Sequence, residues 1–497
     1  MSNLSELLPA GGSAKEFEAV ASGTLPNGKA VILKANGQVE AVAETTTTIS
    51  ENIPVSSELV FESAQVSFVC QAHVSDNKFI IAYRDKGNSN YGTAIVATIS
   101  GTQINFGTPV VFNAGTTGEI GLDCDATTGK CVIAYQDESS NGYGRCVVGT
   151  ISGFSVSFGT EVTFLSGYAN FCSVAFNPNT SNQCVIAYRY QAGSPYNGRS
   201  RLGTVSGTSI SFTNETAFSS GGTEGIAIAM APNISNKFVI TYKSGTGLSV
   251  VGTISGTSIS YGSPVTVYSG YDAAAISFDP TVTNRFVIAF QDSSGSRYGR
   301  ARIGQISGTT IGYGAVATFN TGNTQYNAVA FDPLTSGSFV IAYRDSGNNY
   351  YGTIRVCTTS GTTIILGSDT VINSGNSLYF GVTFSSKLST QGQFLASYVD
   401  YTNNQYGTSR TGQISTPVVT TNLTSTNLLG TSTAAFTNGQ TATIVPKGGV
   451  STNQSSLTIG STYYVQVNGT VSTVSTSPAV ILGKAVSSTS LILKGNS

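Results

Sequence analysis

Apolar residues recur in short blocks along most of the chain, and each block ends in an aromatic. The blocks read FIIAY to Tyr83, CVIAY to Tyr135, CVIAY to Tyr188, FVITY to Tyr242, FVIAF to Phe290, FVIAY to Tyr343 and FLASY to Tyr398. They are 52, 53, 54, 48, 53 and 55 residues apart. Within Phe339-Val340-Ile341-Ala342-Tyr343, one face carries Phe, Ile and Tyr and the other Val and Ala. Period-two alternation with both faces apolar describes a strand covered on both sides. A second mark follows each anchor: Ile99-Ser100-Gly101, Ile151-Ser152-Gly153, Val205-Ser206-Gly207, Ile254-Ser255-Gly256, Ile306-Ser307-Gly308 and Thr359-Ser360-Gly361. Glycine after serine suits a tight hairpin, because it accepts positive φ.

The fifth period predicts four strands, over 274–279, 285–291, 300–307 and 309–319, the last bent at Gly312 and Gly314. Four short antiparallel strands in a period of about 50 residues mark a β-propeller. The expected fold class is all-β: a seven-bladed β-propeller over 49–416, flanked by a β-hairpin anchor segment over 1–48 and a small C-terminal β domain over 417–497. A solenoid is the structural competitor. The seventh repeat stops at Ile414-Ser415 without a fourth strand, while 52–61 resembles one, Leu59-Val60-Phe61 matching Val110-Val111-Phe112. The N-terminal segment is therefore expected to pair with the third strand of the last blade and remove its open edge. Asn36-Gly37 predicts a hairpin between two N-terminal strands, 45–48 reads as a linker, and strands are expected over 462–467, 479–486 and 490–493.

Composition narrows the function. Charged residues make up 10% of the 497-residue chain and the net charge is −1, against a usual charged share of about 25%. No basic field for nucleic acid is expected, and no apolar run of spanning length occurs. The first twelve residues carry Glu6 and lack a cationic segment followed by an apolar one, so no conventional secretory signal is expected. With 24 Tyr and 24 Phe the chain has the apolar bulk to fold. Its seven Cys include no CxxC pair, and Cys131 and Cys184 stand where other repeats place Phe. They read as small buried hydrophobes rather than bridges or ligands.

Catalytic signals are sparse. His73 is the only histidine, expected to be a satisfied strand residue. There is no GxSxG elbow, no zinc spacing, no Trp for sialidase-type Asp boxes and no EF-hand-like calcium loop. No enzymatic activity, metal or cofactor is expected. Asn177-Pro178, Asp279-Pro280 and Asp332-Pro333 read as turn chemistry. Tyr91-Gly92, Tyr143-Gly144, Tyr298-Gly299, Tyr351-Gly352 and Tyr406-Gly407 recur where third strands begin, which predicts packing.

The loops after second and fourth strands share one side of the expected propeller. They hold Arg84, Asp85, Asp137, Arg189, Tyr190, Asp292, Arg344, Asp345 and Asp400 with Tyr168, Tyr271, Tyr326 and Tyr379. Aromatic faces beside Asp and Arg suit sugars, the ring covering C–H faces and the polar groups orienting hydroxyls. Host-surface glycan is the candidate ligand, against the plainer reading of a solvated loop face.

The flanks suggest a family. Gly23-Thr24-Leu25-Pro26-Asn27-Gly28-Lys29-Ala30-Val31 with Lys34-Ala35-Asn36-Gly37-Gln38-Val39 resembles the opening of virion structural proteins of tailed bacteriophages, particularly those of marine bacteria and cyanobacteria. Leu457-Thr458-Ile459-Gly460-Ser461-Thr462-Tyr463-Tyr464-Val465-Gln466, Gly469-Thr470-Val471 and Gly483-Lys484-Ala485-Val486 are similar to a β module at the ends of such proteins. These segments cover about a quarter of the chain. The IAY, YG and ISGT steps of the repeat also resemble repeats in such proteins. The resemblance implies a virion component assembled in the host cytoplasm, a reducing setting that fits unpaired Cys. Its implied partners are other virion proteins through the terminal regions and copies of itself, although no heptad supports a coiled-coil trimer. It implies a tail-appendage protein that contributes to attachment. A capsid decoration protein without a receptor role and a lectin-like propeller remain open as alternatives.

Overall fold

The computed structural model describes residues 16–49, 51–191, 195–388, 391–475 and 479–494. It is all-β, with large antiparallel sheets and no α-helix among the described residues. No helix among them is long and apolar enough to cross a membrane. The chain divides into two compact units, Ser50–Thr416 and the combined termini, Met1–Ile49 with Pro417–Ser497.

In the larger unit each sequence repeat forms one antiparallel sheet group. The second is representative. Lys130–Asp137 pairs on one side with the end of Val110–Asp125, and on the other with Tyr143–Ser152. The latter also takes Ser155–Phe158 and the start of Val162–Phe176. The first half of Val110–Asp125 belongs to the preceding group, against Tyr91–Ser100. One continuous strand is thus outermost in one group and innermost in the next. Seven such groups follow one another. The last, built on Gln393–Asp400 and Tyr406–Gln413, is completed by Leu59–Ser75, with Thr408 opposite Val60 and Ser409 opposite Leu59. This is the pairing expected of the N-terminal segment. Each innermost strand lies against the next, and the seventh against the first.

The repeat motifs fall into place physically. The glycines of the Ser-Gly steps, at 101, 153, 207, 256, 308 and 361, all have φ between 58° and 63°, where other residues are strained. Anchor aromatics are buried and meet a ring from the preceding group: Phe61 on Tyr83, Phe112 on Tyr135, Phe164 on Tyr188, Phe218 on Tyr242 and Phe319 on Tyr343, with centroids 5.1–5.3 Å apart. The glycine of four of the five Tyr-Gly steps lies under such a Phe, as does Gly198 after Asn197, whereas a Cβ on Gly352 would meet the Ser377 hydroxyl first, at 2.7 Å. A Cβ on Gly92, Gly144, Gly198, Gly299 or Gly407 would overlap the ring. The step recurs because a close approach of ring to backbone requires it.

Three expectations change. The fourth strand of the fifth repeat is two strands, Thr310–Tyr313 and Ala317–Asn320, both against Gly299–Ser307. The break falls at Gly314, where the carbonyl of Thr362 from the next group fills the place of a side chain. Cys131 is bonded to Cys124, the residue directly opposite it, at a Cα separation of 4.0 Å. Cys70, Cys146, Cys172, Cys184 and Cys357 are free.

The third change concerns the termini. Read from the sequence they are separate segments, whereas they share one sheet in the order Phe17–Val20, Thr441–Pro446, Leu428–Ser432, Ala30–Leu33, Val39–Ala41. Ala30, Ile32 and Val42 pack with Leu428, Val445, Leu457, Tyr463, Val465, Leu482 and Leu491 in one core. The stretch expected as a linker lies in strand Glu44–Ile49, which pairs with Thr416–Thr421. A hairpin of two short strands cannot bury its own apolar face, so the N-terminal hairpin completes the C-terminal layer.

Candidate functional site

The same irregularity interrupts every innermost strand. The register between innermost and second strands slips at Ser67/Cys70, opposite Ala134/Gln136, and at Asn170/Ser173, Glu224/Ala227, Asp272/Ala275, Gln325/Ala328 and Leu378/Gly381. Each slip is a β-bulge with one residue in left-handed backbone: Phe68, Glu119, Phe171, Gly225, Ala273, Tyr326 and Tyr379, with φ between 45° and 56°. A bulge bends the strand and re-aims a side chain. For a Phe or Tyr the left-handed region costs about 1–2 kcal/mol, and such strain gathers where the surroundings impose it, commonly at functional sites.

The re-aimed side chains meet. The rings of Phe68 and Tyr379 are 5.4 Å apart and those of Tyr326 and Tyr379 5.0 Å. The Glu119 carboxylate accepts from the amide of Phe171 at 3.2 Å. Burial pushes the Glu119 carboxyl up. Burial, then Tyr326 and Glu119, raise the Tyr379 phenol. Behind the ring stand arginines at the ends of second strands. Arg84 lies 5.1 Å over Phe68, Arg189 4.7 Å over Phe171 and Arg344 5.0 Å over Tyr326. A guanidinium on a ring face is an attractive contact, here one that pins each bulge side chain.

Of the residues proposed from sequence, Arg84, Arg189, Arg344, Tyr326 and Tyr379 come together here. The carboxylates serve their own turns instead. Asp85 accepts from the Asn88 amide at 3.0 Å, Asp137 from Ser139 at 3.1 Å, Asp345 from Gly347 at 3.0 Å, and Asp400 from Thr402 and Asn403 at 3.1 Å. Asp292 accepts from the Ser294 amide at 2.9 Å, from Tyr268 at 3.2 Å and from Arg300 at 3.3 Å. Burial pushes its carboxyl up, but these bonds outweigh it and hold it below the usual range. Tyr271 is buried, its hydroxyl bonded to Thr241, so it presents nothing to a ligand. Tyr190 lies under Arg199 at 4.5 Å. Tyr168 is exposed, its ring filling the place of a side chain on Gly142. His73 is bonded to the Asp76 carbonyl and Ser386, each at 3.1 Å, away from the bulges.

Sequence reasoning missed Phe68, Glu119, Phe171, Gly225 and Ala273. They share a backbone position and no chemistry, and their distance from the anchor aromatic varies, so no motif marks them.

Fold and site together define an all-β repeat protein whose sheet groups each place one left-handed bulge residue in the innermost strand, six of the seven carrying a side chain. No protein-family model matches the sequence and no curated protein does. Among solved structures the chain is similar to the K499G mutant of NanB sialidase from Streptococcus pneumoniae, at 10% identity over 72% of this chain and 70% of that one, with a TM-score of 0.42. It is also similar to Sqt1 from Saccharomyces cerevisiae, at 9% identity over 74% and 100%, TM-score 0.45. Sqt1 from Chaetomium thermophilum gives 14% identity over 70% and 83%, TM-score 0.43. Likeness at this level assigns neither family nor activity.

Proposed function

We propose that Ser50–Thr416 is a seven-bladed β-propeller, each sheet group a blade, and that the chain is a non-enzymatic structural protein of a tailed-bacteriophage virion. It works as a tail appendage whose bulge-bearing face contacts glycan on the host surface. The terminal unit holds the protein to its neighbours in the particle. The observation that most supports a binding face is the set of seven bulges in left-handed backbone, four of which aim Phe or Tyr side chains. Rigid aromatics beside arginine provide contact area at low entropic cost. The turn-bound state of Asp85, Asp137, Asp292 and Asp400 favours binding over hydrolysis, which needs two free, placed carboxylates. Support for the virion comes from the segments 23–39 and 457–486, whose resemblance to phage structural proteins is set out above.

The test is immunogold electron microscopy of phage particles with antibody to the larger unit. Label on the tail or its fibres, with antibody blocking of adsorption, is the expected result. Label spread over the capsid would replace attachment by decoration. Particles without label, from a lysate in which blotting finds the chain, would overturn the virion reading and leave a lectin-like propeller.

A further inference from the structure

We propose that the gap between the third and fourth sheet groups is a cleft for one neutral hexopyranose unit. This deepens, and rests on, the reading that the bulge-bearing face binds glycan.

Two arginines on that face are sandwiched between rings. Arg189 lies 4.7 Å from the ring centroid of Phe171 and 5.4 Å from that of Tyr196. Arg344 lies 5.0 Å from Tyr326 and 5.1 Å from Tyr350. The sandwiches differ in what stands before the guanidinium. Arg344 donates to the side-chain oxygen of Asn376 at 3.3 Å. The next residue, Ser377, fixes the geometry, its amide donating to the carbonyl of Tyr350 at 3.1 Å. Thr223 makes the same bond to Tyr196 at 2.9 Å. The residue in the place of Asn376 is therefore Gly222, and a Cβ there meets no described atom within 4 Å. Gly245, on the facing turn, is equally bare. The neighbouring bulge positions carry no ring, being Gly225 and Ala273. Arg189 donates instead to the side-chain oxygen of Gln191 at 3.2 Å, and the place that Asn376 takes in the other sandwich is left as part of a cleft of about 160 Å³ between Arg189, Tyr196, Glu224 and Lys243.

The lining selects the ligand. Arg189 and Lys243 donate and Glu224 accepts, matching hydroxyls that do both. Lys243 Nζ lies 3.5 Å from Glu224 and 3.9 Å from Asp272. Asp272 stands outside the lining but shares Lys243 with Glu224, so the ammonium is already matched by carboxylates and does not favour an acidic sugar. Tyr196 is 38% exposed. Arg189 covers one face of its ring, and the other can take the C–H face of a pyranose. The volume is below the roughly 300 Å³ at which pockets take drug-sized ligands, so one ring enters.

Saturation-transfer NMR on the full chain tests this with five probes: the methyl glycosides of glucose, galactose, mannose and N-acetylglucosamine, and glucuronate. Ring C–H protons of at least one neutral glycoside should receive saturation. The signal should vanish in Gly222→Tyr, which fills the cleft, and in Tyr196→Ala, and persist in Phe154→Ala, an exposed aromatic elsewhere. Far-UV circular dichroism and melting check that each variant folds. Silence from all neutral probes overturns the proposal, as does transfer to glucuronate alone. Transfer that survives Gly222→Tyr but is lost in Tyr379→Ala overturns the cleft while leaving the face as a glycan-binding surface. Failure of the cleft and failure of the attachment reading are thereby told apart.

Discussion

Gly144→Ala tests whether the Tyr-Gly step is a packing device. The added methyl falls 2.5 and 2.6 Å from two ring carbons of Phe164 and 3.0 Å from Leu165 Cβ. Carbon atoms rest at about 3.5–4.0 Å, so the overlap is roughly 1 Å. The ring has nowhere to go: Phe164 is 1% exposed, with its centroid 5.1 Å from Tyr188 and 6.3 Å from Phe212. The glycine backbone is held on both sides, opposite Gln136 and Leu165. Overpacking of this kind costs about 1–3 kcal/mol. The entropy that Ala removes from the unfolded chain returns about 0.4–1 kcal/mol, leaving a net loss of about 1–2 kcal/mol. Gly312→Ala is the control. It too replaces a strand glycine, but its Cβ meets no described atom within 4 Å and its φ is not positive, so it should be neutral or stabilising by about 0.4–1 kcal/mol. Guanidinium unfolding followed by far-UV circular dichroism reads both as midpoint shifts at constant slope. Tyrosine fluorescence is the second probe, since the chain has no Trp. If Gly144→Ala is as stable as Gly312→Ala, the ring-over-glycine contact does not hold the groups together, and the explanation of the repeat fails.

Phe61→Ala asks whether the closing strand is held like the internal ones. Phe61 is buried 5.3 Å from Tyr83 and 6.0 Å from Phe106, so its loss should cost about 3–5 kcal/mol, as for Phe112→Ala; a loss below about 1 kcal/mol would mean a loosely held edge. Burial pushes the Asp123 carboxyl up to about 6. Its unfolded value is about 3.9, so the native state binds the proton more tightly. The resulting stability is present below about pH 4 and fades as pH rises through the folded value. Asp123→Asn should remove that decline from the stability profile, and an unchanged slope over the same window would refute it. Titration with dithiobis(nitrobenzoic acid) in denaturant should find five thiols before reduction and seven after. Seven before reduction would refute the Cys124–Cys131 bridge.

What the sequence made legible is what packing repeats. The anchor strands, the Ser-Gly turns and the Tyr-Gly steps recur because every group must meet its neighbour in the same way. The bridge was hidden because Cys131 and Cys184 occupy equivalent positions. Only Cys131 has a cysteine opposite it, Cys124, whereas Cys184 faces Phe176. The shared terminal unit was hidden because its sheet interleaves strands from opposite ends of the chain, such as Ala30 opposite Thr431. Local patterning shows that such strands exist and not which partners they find.

The bulge ring was hidden for a more instructive reason. Seven repeats in one chain act as an internal comparison. At the glycine under the Phe ring the identity barely changes, because steric demand allows no alternative. At the bulge it runs Phe, Glu, Phe, Gly, Ala, Tyr, Tyr. Backbone geometry there is fixed in all seven groups while side-chain chemistry is free. A position that packing does not dictate, on a backbone that packing holds rigid, is where a repeat protein can specialise one group without destabilising the others. The same freedom puts Asn376 before Arg344 and leaves Gly222 before Arg189, so the difference between those two groups is better read as a site than as a defect.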